Sequence, residues 1–378
     1  MEEVKTKRQS NIELLRIIAM LLIVFHHFAI HGIHRFNPGI YEALPTASKL
    51  FVDFSLPGGL VGVGIFFMIT GYFRISKEKI SLLKVILEAM FYGICLSIVI
   101  LVSVLTKSSY VDYSNIQTAQ EILKHIFNPA TSYAWWFLSS YVILILLSPL
   151  INKVFYHIDL KGYLILLIVC FICVYTIDRF VSSDYYSITR GILFYLIGGF
   201  IFRFVKLENQ LWLKRIIFIS LFIIGWSLFA IYNFFAYNPS IYELNSFLLK
   251  PEIKDTIEAS LLAPISIVSL FLFFQTFSFE SKGINFIAKT TFGIYLIHDS
   301  HILRNILWKS LLPKGLEVYQ TNLFILYGLG ISILVFISCM LIDILRILFA
   351  EKYYLPFIKE RINSFFNHHM SNDDSIDN

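Results

Sequence analysis

Residues 14–32, LLRIIAMLLIVFHHFAIHG, are apolar enough to cross a bilayer as a helix, yet they carry Arg16, His26, His27 and His31. A spanning helix needs about 20 predominantly apolar residues. An arginine or lysine at its centre costs about 2.5–3.5 kcal/mol on insertion scales. The positions of the polar residues give them a common purpose. Arg16 and His27 lie eleven residues apart, three turns plus about 20°, so they share one face about 16 Å apart along the axis. Glu13 stands three residues before Arg16 on that face, and His31 follows one turn beyond His27. His26 points about 100° away. A polar stripe on a membrane helix faces a protein interior or a water-filled cavity rather than lipid. Taken singly, each residue has a plainer role: Arg16 can snorkel to the headgroups, and His27 can hydrogen-bond a neighbouring helix. His27 and His31 also have i, i+4 spacing for a metal, but no carboxylate or thiolate cluster joins them in the sequence.

The rest of the chain has the same character. Of its 378 residues, 57% are hydrophobic and 15% charged, against roughly a quarter charged in soluble domains. The mean hydropathy is +0.70. Apolar blocks cover 12–31, 57–75, 82–105, 134–152, 161–177, 188–205, 214–236, 257–278, 290–308 and 321–347. The expected fold is therefore all-α, a polytopic membrane protein of about ten spans. The ninth block is the most polar, because it holds His298, Asp299, His301 and Arg304. No internal repeat and no second-domain boundary stands out. A cytoplasmic segment 1–11, a membrane domain 12–350 and a cytoplasmic tail 351–378 are expected, the tail ending in a polar, disordered NHHMSNDDSIDN. MEEVKTKRQSNIE resembles a signal-peptide n-region, but no small-residue cleavage site follows, so the first block is expected to remain as a span.

With the N-terminus inside and ten spans, 20 of the 31 Lys and Arg residues fall in cytoplasmic segments, as the positive-inside rule requires. Both termini are then cytoplasmic, and the net charge of +5 follows from that bias rather than from binding nucleic acid. The four cysteines lie within predicted spans, where Cys170 and Cys173 serve as packing residues. No Gly-rich nucleotide loop, HExxH or GxSxG pattern is present.

Five segments bring a resemblance into view. NIELLRIIAMLLIVFHHF, with its R-x10-H spacing, resembles the opening of the acyltransferase-3 family. GGLVGVGIFFMITGYF is similar to that family's FF-x-x-SG-[FY] segment through Phe66, Phe67, Thr70, Gly71 and Tyr72. YAWWFLSSYVILILLSPLIN resembles a later span through Trp136, Phe137, Leu138, Tyr141 and Pro149. RGILFYLIGGFIF begins with Arg190 as the sixth-span pattern does, and TTFGIYLIHDSHI matches a late segment through Tyr295, Leu296 and His298. The resemblance implies a bacterial multi-span enzyme that transfers acyl groups, usually acetyl, from cytoplasmic acyl-CoA to surface glycans. Two departures stand out: Thr70 replaces the usual Ser, and FRISKEKISLLK lacks the family's R-x-x-R pair. In that loop Arg74, Lys77, Lys79 and Lys84 remain, and lysine binds phosphate without arginine's bidentate fork.

Combined with the stripe, these residues suggest a mechanism. Arg16 with Arg74, Lys77 and Lys84 stands where the phosphates of the donor would dock, and Glu13 orients or neutralises Arg16. His27 is the expected general base for a glycan hydroxyl, since an imidazole titrates near neutrality; an acyl-histidine is the covalent variant. Thr70, Tyr72 and Tyr295 are candidate donors to the thioester oxygen. Trp136, Arg190, Tyr295 and His298 are the expected acceptor-binding residues. Acetyl-CoA or another acyl-CoA is a co-substrate rather than a resident cofactor. No metal is expected, and the partners are membrane lipid, the donor and a glycan of the cell envelope. A transporter or flippase for a lipid-linked sugar or acidic solute is the competing reading, and an inactive scaffold a second; turnover of acetyl-CoA separates them.

Overall fold

The computed structural model describes residues 8–35, 38–106, 135–177, 186–237, 261–311, 319–321 and 323–373, with four further residues at 120, 123–124 and 126. Among these residues there is no strand. Helix α1 spans Ser10–His27 and continues as a π-helix, Phe28–Arg35. The helices α2 (Pro38–Ala43), α3 (Thr46–Ser55), α4 (Gly58–Arg74) and α5 (Leu83–Leu105) follow. Next come α6 (Trp136–Phe155), α7 (Leu160–Ile177), α8 (Tyr186–Phe204), α9 (Leu211–Tyr237) and α10 (Ala263–Gln275). The last are α11 (Lys282–Ile287), α12 (Thr291–His298), α13 (His301–Ser310), α14 (Leu323–Leu345) and, after a π-turn at Arg346–Glu351, α15 (Lys352–Asp373).

Six helical runs are long and apolar enough to cross a membrane: Ser10–Arg35, Thr46–Arg74, Leu83–Leu105, Trp136–Phe155, Leu211–Tyr237 and Leu323–Arg361. Six, not ten, therefore meet that test among the described residues. The blocks 161–177 and 257–278 supply shorter apolar helices, Leu160–Val174 and Ala263–Gln275. Block 188–205 is α8, with Arg190 and Arg203 near its two ends. Block 290–308 is not one span at all. It breaks at Asp299–Ser300 into α12 and α13, because Ser300 leaves the helical conformation and its hydroxyl accepts the Leu303 N–H as an N-cap. The chain's end also differs from expectation. Residues 367–373 of the polar tail are helical, since they extend a helix already nucleated upstream and each added residue is cheap.

Close packing explains the small residues of the second block. Helix α4 lies between α1 and α8. A Cβ at Gly58 would overlap the Leu22 carbonyl, and one at Gly62 would sit 2.7 Å from the Ala19 oxygen. On the α8 side, a Cβ at Gly71 would overlap the Tyr195 carbonyl, and one at Gly198 the Met68 carbonyl. Small residues let backbones approach where lipid gives no hydrophobic drive for association. Helix α1 is the hub: it also packs on α10, α11, α12 and α14. Its first turn is pinned by Asn11, whose Nδ2 donates to the Phe274 carbonyl at 3.0 Å. Ser10 adds a second tie, its hydroxyl meeting Asn285 Oδ1 at 2.9 Å.

Candidate functional site

The stripe of α1 ends against α12. His27 is buried, and its Nδ1 lies 2.9 Å from Nε2 of His298, which is also buried. His298 Nδ1 lies 2.6 Å from the Ile294 carbonyl oxygen, one turn back on its own helix. On its other side His27 presents Nε2 to Asp299, 3.6 Å from Oδ1. Arg304, on α13, meets the same carboxylate oxygen at 3.3 Å. His31 completes the cluster, its ring centroid 5.0 Å from that of His27. The broken helix is what brings these groups together: α12 delivers His298, the break delivers Asp299, and α13 turns back to deliver Arg304. The π-helix begins at the residue after His27, a distortion often found at functional sites.

One atom each from His27, His31 and Asp299 lies within 4.8 Å of the other two. The carboxylate missing from the sequence's histidine pair is thus supplied from 268 or more residues away, and the three have the chemistry to ligate a divalent cation. His26 stands to one side of the cluster, its ring centroid 5.4 Å from that of His27. Its Nδ1 lies 2.7 Å from the Leu56 carbonyl at the bend between α3 and α4, in keeping with its offset on the helix.

At the other end of the stripe, Glu13 is buried and Arg16 is part-exposed, their side chains 3.7 Å apart. Arg16 and Arg74 both lie within electrostatic reach of Tyr141 on α6, which also reaches the Thr70 hydroxyl. Arg74 Nη2 donates to the Lys79 carbonyl at 2.8 Å. The loop that follows is held by a residue the sequence did not single out: Asn152 Nδ2 donates to the Arg74 and Lys77 carbonyls, both at 2.7 Å. Tyr195 in turn donates to Asn152 Oδ1 at 2.6 Å. Lys77 is exposed beside this anchor. Lys84 stands apart from it, paired with Glu351 at 2.5 Å.

Of the remaining candidates, Tyr295 is buried and its hydroxyl accepts the Phe137 N–H at 3.2 Å. The neighbouring Trp135, also buried, donates its indole N–H to the Leu296 carbonyl at 3.0 Å. Trp136 instead stands 42% exposed. Arg190 is half-buried near the start of α8. Tyr72 accepts from Gln275 Nε2 at 3.1 Å, and Thr70 donates to the Phe66 carbonyl of its own helix at 2.8 Å. Asp299, Arg304 and Asn152 were not among the expected site residues, although the sequence marks the first two within the ninth block. For the first two the signal was present as ionisable groups inside an apolar block.

The assembly is a helical membrane protein with a buried His–His–Asp cluster at the end of a polar stripe. A family model described as an acyltransferase domain, that of the acyltransferase-3 family, matches residues 9–344, and the chain belongs to this family. No curated protein and no solved structure matches it.

Proposed function

We propose that the protein moves an acyl group, acetyl in the first instance, from cytoplasmic acyl-CoA to a hydroxyl of a cell-surface polysaccharide or lipid-linked glycan, with His27 as the general base. The observation that carries this reading is the way the two nitrogens of His27 are held: Nδ1 lies 2.9 Å from His298 Nε2, and Nε2 faces the Asp299 carboxylate 3.6 Å away. This reading puts both termini on the cytoplasmic side of a cell membrane, and with them Arg16, Arg74 and Lys77 on the side where acyl-CoA is made. Arg16, held by Glu13, and Arg74 then take the nucleotide phosphates. Lys84 joins them only if its Glu351 pair opens. The thin pantetheine arm follows the α1 stripe to His27.

The chemistry balances without further groups. The acceptor O–H gives its proton to His27 Nε2 as its oxygen bonds the thioester carbonyl carbon. The C–S bond then breaks, and the departing CoA thiolate takes the proton from the imidazolium. Asp299 stabilises that imidazolium as it forms, the part a carboxylate plays beside catalytic histidines. The Tyr295 hydroxyl, which accepts from Phe137, retains its own proton for the thioester oxygen. Trp136 and Arg190 are left for the acceptor, as a stacking surface and as a partner for a carboxylate or phosphate.

Hydrolysis and transfer of radiolabelled acetyl-CoA by the purified protein in detergent test this. General-base catalysis contributes about 10²–10⁴-fold, so His27→Ala is expected to lower turnover at least a hundredfold, while Arg16→Ala mainly raises the KM for acetyl-CoA. A wild type that neither binds nor turns over acetyl-CoA would return the ground to a transporter, whose interrupted helices also frame midplane sites.

A further inference from the structure

We propose that His298 is a positioning residue for the transfer reaction: it fixes the tautomer of His27 so that Nε2, opposite Asp299, is the basic atom. This rests on His27 acting as the base. The hydrogen-bond chain has one consistent direction when both rings are neutral. A backbone carbonyl only accepts, so the 2.6 Å contact to the Ile294 oxygen places the His298 proton on Nδ1. His298 Nε2 is then a lone pair, and at 2.9 Å it accepts the N–H of His27 Nδ1. Nothing is left for His27 Nε2 but its own lone pair. The opposite tautomer would set two lone pairs against each other at that distance and would place a proton on the edge that must receive one.

The anchor is tied into a buried network. Helix α12 packs on α14 through Gly293, where a Cβ would overlap the Asp343 carboxylate. Asp343 is itself held by Arg346 Nε at 2.6 Å and by the Tyr92 hydroxyl at 2.7 Å. Arg346 also meets Glu88 at 3.0 Å and Glu351 at 2.7 Å. This buried ionic cluster fixes the helix that carries Ile294 and His298, and through them the His27 ring.

Two nearly isosteric variants separate positioning from a merely structural role. In His298→Gln the amide oxygen can occupy the place of Nε2 and still accept from His27, while the bond to Ile294 is lost. In His298→Asn the amide N–H can keep the Ile294 bond but cannot reach His27. The full-length protein, assayed with acetyl-CoA, is expected to retain kcat within tenfold of wild type in His298→Gln. His298→Asn is expected to lose about a hundredfold, the scale of general-base assistance, with the KM for acetyl-CoA unchanged in both. Hydroxylamine, a nucleophile that needs no base, should restore acetyl transfer in His298→Asn and in His27→Ala alike. An Asn variant as active as the Gln variant, or more active, overturns the positioning role. Full activity in His27→Ala would instead sink the assignment of the base, and the two failures are told apart by which histidine the reaction needs.

Discussion

His27 is defined by what surrounds its two nitrogens. One meets an acceptor imidazole at 2.9 Å, the other a carboxylate at 3.6 Å that Arg304 also holds. A proton arriving on Nε2 therefore finds a negative partner already in place. Replacing Asp299 with Asn keeps the shape and removes that partner. Asp299→Asn is expected to lower kcat by about ten- to a hundredfold while leaving acetyl-CoA binding intact, because only the charge-developing step uses the carboxylate. Steady-state kinetics with kcat and KM separated check this. The wild-type rate should also fall with decreasing pH, since a protonated Nε2 accepts nothing. That acid limb should be missing from the residual rate of His27→Ala. Arg16, Glu13 and His27 were legible in the sequence because they obey helical spacing within one element. The partnership of His27 with His298 was not, since 271 positions separate them and only the packing of α12 on α1 joins them.

Among the elements, the ninth apolar block shows most plainly how composition and conformation part. Its hydropathy suggests a single span, yet Asp299 and Ser300 interrupt it. Ser300 caps α13, and the buried turn finds its polar partners inside the protein rather than in lipid. The signal was there as a capping residue ahead of a helix, but the apolar count outweighed it. The glycines of α4 show the opposite case. Their role as a seam was concealed because a span tolerates glycine anywhere, and only the partner helices reveal that Gly58 and Gly62 meet α1 while Gly71 meets α8. Substituting Gly198→Val drives a branched side chain into the Met68 carbonyl and the Tyr72 backbone. Overpacking of this kind costs about 1–3 kcal/mol, and a lower thermal midpoint of the detergent-solubilised protein is the expected result. An unchanged midpoint would mean that α4 and α8 pack more loosely than described.

Across the whole molecule, α1 acts as a line joining two chemically different ends. Arginines gather near its start, around Glu13 and Tyr141; histidines and a carboxylate gather some 16 Å further along, at ~1.5 Å per residue from Arg16. The family assignment names the class of reaction, and under the proposed mechanism this separation gives the membrane a role: the donor would bind at one end of the line and the acceptor be deprotonated at the other. That claim is tested most directly in inverted membrane vesicles carrying the native surface polymer. Radiolabelled acetyl-CoA is supplied to the exposed cytoplasmic face, and label is counted in the polymer fraction. Label incorporated by the wild type and absent from His27→Ala is the predicted result. Label that enters the polymer equally in both would contradict the account at its centre, because transfer would then proceed without the base at the far end of the line.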